Sequence, residues 1–137
     1  MNLFAYGTLM DTEIMTQVSG ATYRSQKATL LHYVRKTVRG EVYPAIIKQS
    51  RGSVEGIVYF DVSLESFDRL DTFEGPLYVR TEVETISNDG ERVSTFTYVL
   101  TANSAHKLSE DDWNYENFIM NHKQLFQSGY HGYDELT

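Results

Sequence analysis

The sequence predicts an α+β domain: a small, mostly antiparallel β-barrel with a few flanking helices. Three observations carry this. Segments of strand composition outnumber helical ones, and they are short and closely spaced. "YVRTEVETI" and "RVSTFTYVL" alternate on either side of Asn88-Asp89-Gly90, the strongest hairpin signal in the chain. The 137 residues hold only two prolines and no repeat, linker or low-complexity tract, so residues 1–137 are expected to form one domain.

The elements follow in order. "NLFAYG" reads as a first strand ending at Gly7. "DTEIMTQVSG" reads as a short helix that Asp11 or Thr12 can cap and Gly20 ends. Residues 26–38 have strand composition, and "EVYPAIIK" is a strand whose Pro44 implies an edge or a bulge. "VEGIVYFDV" alternates and is β-branched, a further strand. "SLESFDRLDTFEG" is a helix with Ser63 as N-cap and Glu65 in its first turn. After the hairpin, residues 111–127 form the longest predicted helix, with Tyr115, Phe118, Ile119, Leu125 and Phe126 on one side. "SGYHGYDELT" carries no readable periodicity.

Charge and composition narrow the function classes. A formal net charge of −7 argues against nucleic acid and anionic membranes as partners, since both require clustered Lys and Arg. The absence of cysteine excludes disulfides and thiolate metal sites. The N-terminus has no basic region and too short an apolar run for a signal peptide, so a cytoplasmic protein is expected.

One carboxylate is out of place. On a helical wheel with Leu64 at zero, Phe67 falls near ~300°, Leu70 near ~240° and Glu74 near ~280°. Glu74 therefore lies between Phe67 and Leu70 in the apolar stripe, whereas Glu65, Arg69 and Thr72 lie opposite. Asp71 falls at the stripe's edge and reads as a structural neighbour. Burial of Glu74, together with the negative field of a helix C-terminus, would raise its pKa towards neutrality. That is the property a general base needs near pH 7. Gly75 is expected in the left-handed conformation, with Pro76 stopping the helix. The alternative is that Glu74 swings out to water or pairs with Arg69 or Arg80.

"FAYGTLM" is the second unusual stretch. A strand runs into Gly7 shortly before a helix, and such a turn can aim several backbone N–H groups at one point. Tyr6 and Thr8 add hydroxyls, and Gly7 permits close approach. The four histidines, at positions 32, 106, 122 and 131, show no paired ligand spacing, so no metal is expected, and His122 reads as a core residue of the last helix. Asp71 and Glu74, three apart on one helix, are too close to flank a glycosidic bond.

Together these stretches resemble the γ-glutamylcyclotransferase-like family. The matching segments are Tyr6-Gly7-Thr8-Leu9, Tyr43-Pro44-Ala45, residues 54–59 "VEGIVY", residues 70–75 "LDTFEG", and Tyr78-Val79-Arg80. Phe73 stands where tyrosine is common in the family, and Met10 where a basic residue is frequent. The resemblance implies a small barrel with a cavity at one end and Glu74 as catalytic acid/base. It also implies a substrate-binding loop of Tyr6, Gly7, Thr8 and Leu9, with weaker roles for Tyr43 and Tyr78. The implied reaction releases 5-oxoproline from a small γ-glutamyl amide without a cofactor, in a monomer or small homo-oligomer. The alternatives are a non-catalytic binding domain of the same fold and an amide hydrolase that uses the same base.

Overall fold

The computed structural model describes residues 1–136. Its strands are β1 (Leu3–Ala5), β2 (Ser25–Thr37), β3 (Pro44–Tyr59), β4 (Tyr78–Ser87) and β5 (Arg92–Leu100). They close into a barrel in the order β1-β3-β2-β4-β5. Every seam is antiparallel except the last, where β1 meets β5 in parallel at Leu3 and Phe96. The helices are α1 (Thr12–Ser19), α2 (Leu64–Glu74), α3 (Tyr115–Asn121), α4 (Lys123–Gly129) and α5 (His131–Asp134), with 3-10 turns at Thr8–Met10 and Ala102–Lys107.

Local chemistry explains the helix boundaries. The Asp11 carboxylate accepts from the Ile14 N–H at the start of α1, and Gly20 ends it at φ 85°. Ser63 accepts from the Ser66 N–H at the start of α2. Pro44 opens β3 as its first residue, where its missing N–H costs no ladder bond. Alternate residues of β1 face different clusters. Leu3 and Ala5 pack with Ile14, Val18, Phe67 and Leu70 of the helices, while Phe4 and Tyr6 pack with Leu30, Ile46 and Val58 of the sheet.

Four expectations are corrected. The predicted strands at 41–48 and 54–62 are one 16-residue strand, β3, with an irregularity opposite Leu31–Tyr33. Residues 49–52 have no β2 partner: they bulge out opposite His32, between the pairs Tyr33–Lys48 and Leu31–Ser53, and the strand resumes beyond them. The predicted helix over 111–127 starts at Tyr115, with Asn114 as cap, and breaks at His122 (φ −130°, ψ −19°). His122 is thus a half-buried junction residue, and Leu125 is 71% exposed instead of facing the core. Gly75 has φ 76° and ψ −167°, a mirror-image extended conformation rather than the left-handed helical one.

Candidate functional site

Phe67, Leu70 and Phe73 bury the inner face of α2, although Leu64, at the wheel's origin, is 72% exposed. Glu74 follows on that same inner face and lines a chamber at one end of the barrel. The chamber walls include Tyr6, Gly7, Thr8, Leu9, Tyr43, Pro44, Tyr78, Tyr98, Phe126 and Tyr130. The structure thus brings all the predicted site residues together around the carboxylate. The chamber is tight, with a cavity volume of about 30 Å³, room for one to three waters.

The Glu74 residue keeps partial exposure, yet protein crowds its carboxyl group closely enough to make desolvation the dominant influence. Desolvation first, and the negative charge of Asp71 second, raise its pKa from 4.5 to about 8. Neither arginine neutralises it. Arg69 Nε donates to the Val18 carbonyl, and Arg80 Nε lies 3.5 Å from Asp71 Oδ1. Among the described residues no protein group donates to the Glu74 carboxylate; only its backbone carbonyl accepts, from Tyr130 at 3.3 Å. Asp71, by contrast, accepts from the Tyr98 hydroxyl at 2.6 Å.

The tyrosines act first as braces. Tyr6 donates to the Tyr98 carbonyl at 2.6 Å, Tyr78 to the Pro44 carbonyl at 2.7 Å, and Tyr59 to the Leu9 carbonyl at 2.7 Å. Burial pushes the pKa of Tyr6 and Tyr78 well above the ordinary value and that of Tyr43 up to about 12. These hydroxyls therefore stay protonated, and those of Tyr6 and Tyr78 hold carbonyls in place. Arg35, stacked over Trp113, donates to the Tyr6 carbonyl at 2.7 Å from behind the loop.

Gly7 is required by packing. Its φ is −131°, which any residue can adopt, but a Cβ there would lie 2.8 Å from Pro44 Cγ. Gly56 has the same role on the neighbouring strand β3, where a Cβ would fall 2.4 Å from the Ala5 carbonyl. The scattered segments 6–9, 43–45, 54–59, 70–75 and 78–80 thus form one joint. Within the loop the turn bonds come from Met10 and Asp11, to the carbonyls of Gly7 and Thr8. Among the described residues the N–H groups of Gly7, Thr8 and Leu9 donate to no protein acceptor. An uncommitted carboxylate and uncommitted N–H groups therefore border the same chamber, the groups needed for proton transfer beside a developing oxyanion.

The chain and its fold have counterparts in known proteins. Residues 3–115 match the family model described as "Gamma-glutamyl cyclotransferase, AIG2-like". The chain belongs to this family. It is 30% identical over 126 residues to AIG2-like protein A of Arabidopsis thaliana, a match covering 91% of this chain and 76% of that protein. A solution structure of an Arabidopsis thaliana protein superimposes with a TM-score of 0.71 at 29% identity, covering 93% of this chain and 85% of that one. A solved γ-glutamyl cyclotransferase shares the fold with a TM-score of 0.59 at 20% identity, over 74% of this chain and 66% of that one.

The family match stops at residue 115, and the roof of the chamber comes from beyond it. Phe126 and Tyr130 stack with ring centroids 4.7 Å apart and pack against Phe73 and Tyr43. Gly132 lets α5 press on the end of α2, since a Cβ there would be 2.2 Å from the Phe73 carbonyl. Lys123 ties the roof to Asp11 at 2.9 Å and Glu13 at 3.2 Å. The sequence places Phe126 on an apolar face, but nothing in its periodicity marks Tyr130 as a pocket residue. Among the described residues no group of three His, Asp or Glu side chains could hold a metal ion, and no helix is long and apolar enough to cross a membrane.

Proposed function

We propose that the protein is a cofactor-independent γ-glutamyl cyclotransferase acting on small γ-glutamyl amides, with Glu74 as the acid/base. The observation that carries this reading is an unpaired carboxylate, raised to about 8, that lines one chamber together with the loop 7–9, whose N–H groups donate to no protein acceptor among the described residues. In the reaction the substrate supplies its own nucleophile. Glu74 takes a proton from the substrate's α-ammonium group, and the freed amine attacks the γ-carbonyl carbon. A ring N–C bond forms, and the carbonyl oxygen becomes an oxyanion that backbone N–H groups of Gly7, Thr8 and Leu9 stabilise. The second proton leaves the α-nitrogen through Glu74 as the bond to the leaving nitrogen breaks. Two protons leave one nitrogen and two reach the other, so the products are 5-oxoproline and an ammonium ion.

A carboxylate with ordinary acidity would be a poor acceptor from an ammonium group; one raised towards neutrality is better matched. Tethering of the amine to its target supplies the proximity, so no protein nucleophile is required. The test is direct: purified protein is incubated with γ-glutamyl amines, γ-glutamyl amino acids and glutathione, and 5-oxoproline is assayed. Release of 5-oxoproline is expected. Release of glutamate instead would assign a hydrolase, and no release from any substrate would leave a non-catalytic binding domain.

A further inference from the structure

The Arg35 guanidinium is a cation spent on backbone. It is half-buried, and among the described residues it makes no ion pair. Holding a charge in such a place is costly unless hydrogen bonds offset the lost water. Nη1 donates to the Tyr6 carbonyl at 2.7 Å and to the Glu55 carbonyl at 2.9 Å. The guanidinium carbon lies over Trp113, 5.3 Å from the ring centre. Trp113 is itself fixed: it is buried, and its Nε1 donates to the Val42 carbonyl at 2.8 Å.

These bonds fall where the sheet ends. The β1–β3 pairs run from Leu3–Tyr59 to Ala5–Ile57 and stop there. Tyr6 is the next residue, so Arg35 takes hold of the chain as the ladder releases it into the loop. The Tyr6 carbonyl and the Gly7 N–H belong to one peptide unit. That peptide is trans, so the two groups point in opposite directions. Arg35 lies outside the chamber wall, whereas Gly7 lines it. A carbonyl held from outside therefore leaves the Gly7 N–H to the chamber side. The cation also draws electron density from the carbonyl oxygen and, through it, from the amide nitrogen, which makes that N–H a stronger donor. The Tyr6 side chain is pinned as well, by its hydroxyl on the Tyr98 carbonyl at 2.6 Å, so the peptide has little freedom to turn.

We propose that Arg35 is a positioning residue for the reaction: it orients and polarises the Tyr6–Gly7 peptide so that the Gly7 N–H meets the oxyanion, without itself touching the substrate. This inference rests on the cyclotransferase reading of Glu74. The oxyanion exists only once the amine has attacked, so the gain falls on the transition state and not on substrate binding.

The experiment compares Arg35→Met, which removes the charge and both bonds, with Arg35→Lys, which keeps a cation able to serve one carbonyl. Urea unfolding first establishes that each variant is folded, and kcat and KM for 5-oxoproline release are then measured across the Glu74 titration. Loss of a whole oxyanion donor costs about a hundred- to a thousandfold in kcat, so a donor misaimed but still present should cost about ten- to a hundredfold in Arg35→Met and less in Arg35→Lys. KM should stay within about twofold of the parent's. The rising limb of the pH profile should stay in place, because desolvation and Asp71, not Arg35, raise the Glu74 pKa. A chamber that had merely loosened would admit water, move that limb to lower pH and raise KM. Parent-like kcat in both variants, or a loss that appears as raised KM with a displaced limb, would overturn the positioning role while leaving the cyclotransferase reading standing. Should Arg35→Met not fold, Arg35→Lys decides alone by the same criteria. Absence of 5-oxoproline release from the unmodified protein would overturn both.

Discussion

Replacing Glu74 with glutamine should stabilise the protein while abolishing turnover, and the gain should depend on pH. The folded carboxyl titrates at about 8 instead of 4.5. The fold therefore favours the protonated acid. Glu74 costs nothing below about pH 4.5, and the cost grows as pH rises until ionisation is complete above about 8. At roughly 1.4 kcal/mol per pKa unit, the full cost has an upper limit of about 5 kcal/mol. The residue's partial exposure lowers this to about 2–4 kcal/mol. Urea unfolding of both proteins at pH 4.5, 6.5 and 8.5 measures it, each pH chosen to bracket the titration. The two should be nearly equally stable at the lowest pH, and the variant should lead by about 2–4 kcal/mol at the highest. In parallel, 5-oxoproline release should fall by at least about a hundredfold. A stability difference that does not change with pH would refute the burial argument, and a Glu74→Gln protein with full turnover would refute the mechanism.

Other outcomes follow from the same geometry. On the cyclotransferase reading, kcat/KM of the unmodified protein should rise about tenfold per pH unit below the Glu74 pKa and level off near 8, as a base active only when ionised requires. Asp71→Asn removes the second cause of that raised pKa, so the rising limb of the profile should move to lower pH. Tyr78→Phe leaves the buried Pro44 carbonyl without its donor. It should cost about 1–3 kcal/mol in urea unfolding and raise KM, because Pro44 packs against Gly7. Gly132→Ala drives a methyl group into the Phe73 carbonyl. It should lower the unfolding midpoint and kcat together, and a variant indistinguishable from the parent would contradict the close approach of α5 to α2.

The wheel singled out Glu74 because a charge between Phe67 and Leu70 violates a strong local rule, and functional sites are where such rules break. It misplaced Leu64, since a first-turn residue on a short helix can point past the core. The barrel was legible from alternation, but the length of β3 was not. Residues 49–52 are an unpaired bulge, and only the pairing of β2 on either side of it makes the two flanking segments one strand. The braces were invisible for a similar reason. Each tyrosine reads as an ordinary sheet aromatic, and only the fold reveals that its hydroxyl holds a distant carbonyl. The end of the chain was the hardest to read. His122 breaks a continuous apolar pattern, and Tyr130 acquires its place only by packing on Phe73 and Tyr43.

The roof over Glu74 has a consequence for how this molecule comes into being. In chain order the floor loop, Tyr6–Leu9, precedes strands β2 to β5, and Phe126 and Tyr130 follow them. The barrel needs nothing beyond Leu100 to close its strands. A nascent chain can therefore settle its sheet while the chamber still lacks a ceiling. A protein clipped after α3 would keep most of its barrel and lose the wall that desolvates its carboxylate. On the cyclotransferase reading such a remnant would look native by its strands and be silent in the assay, so 5-oxoproline release would report on the integrity of the segment beyond α3.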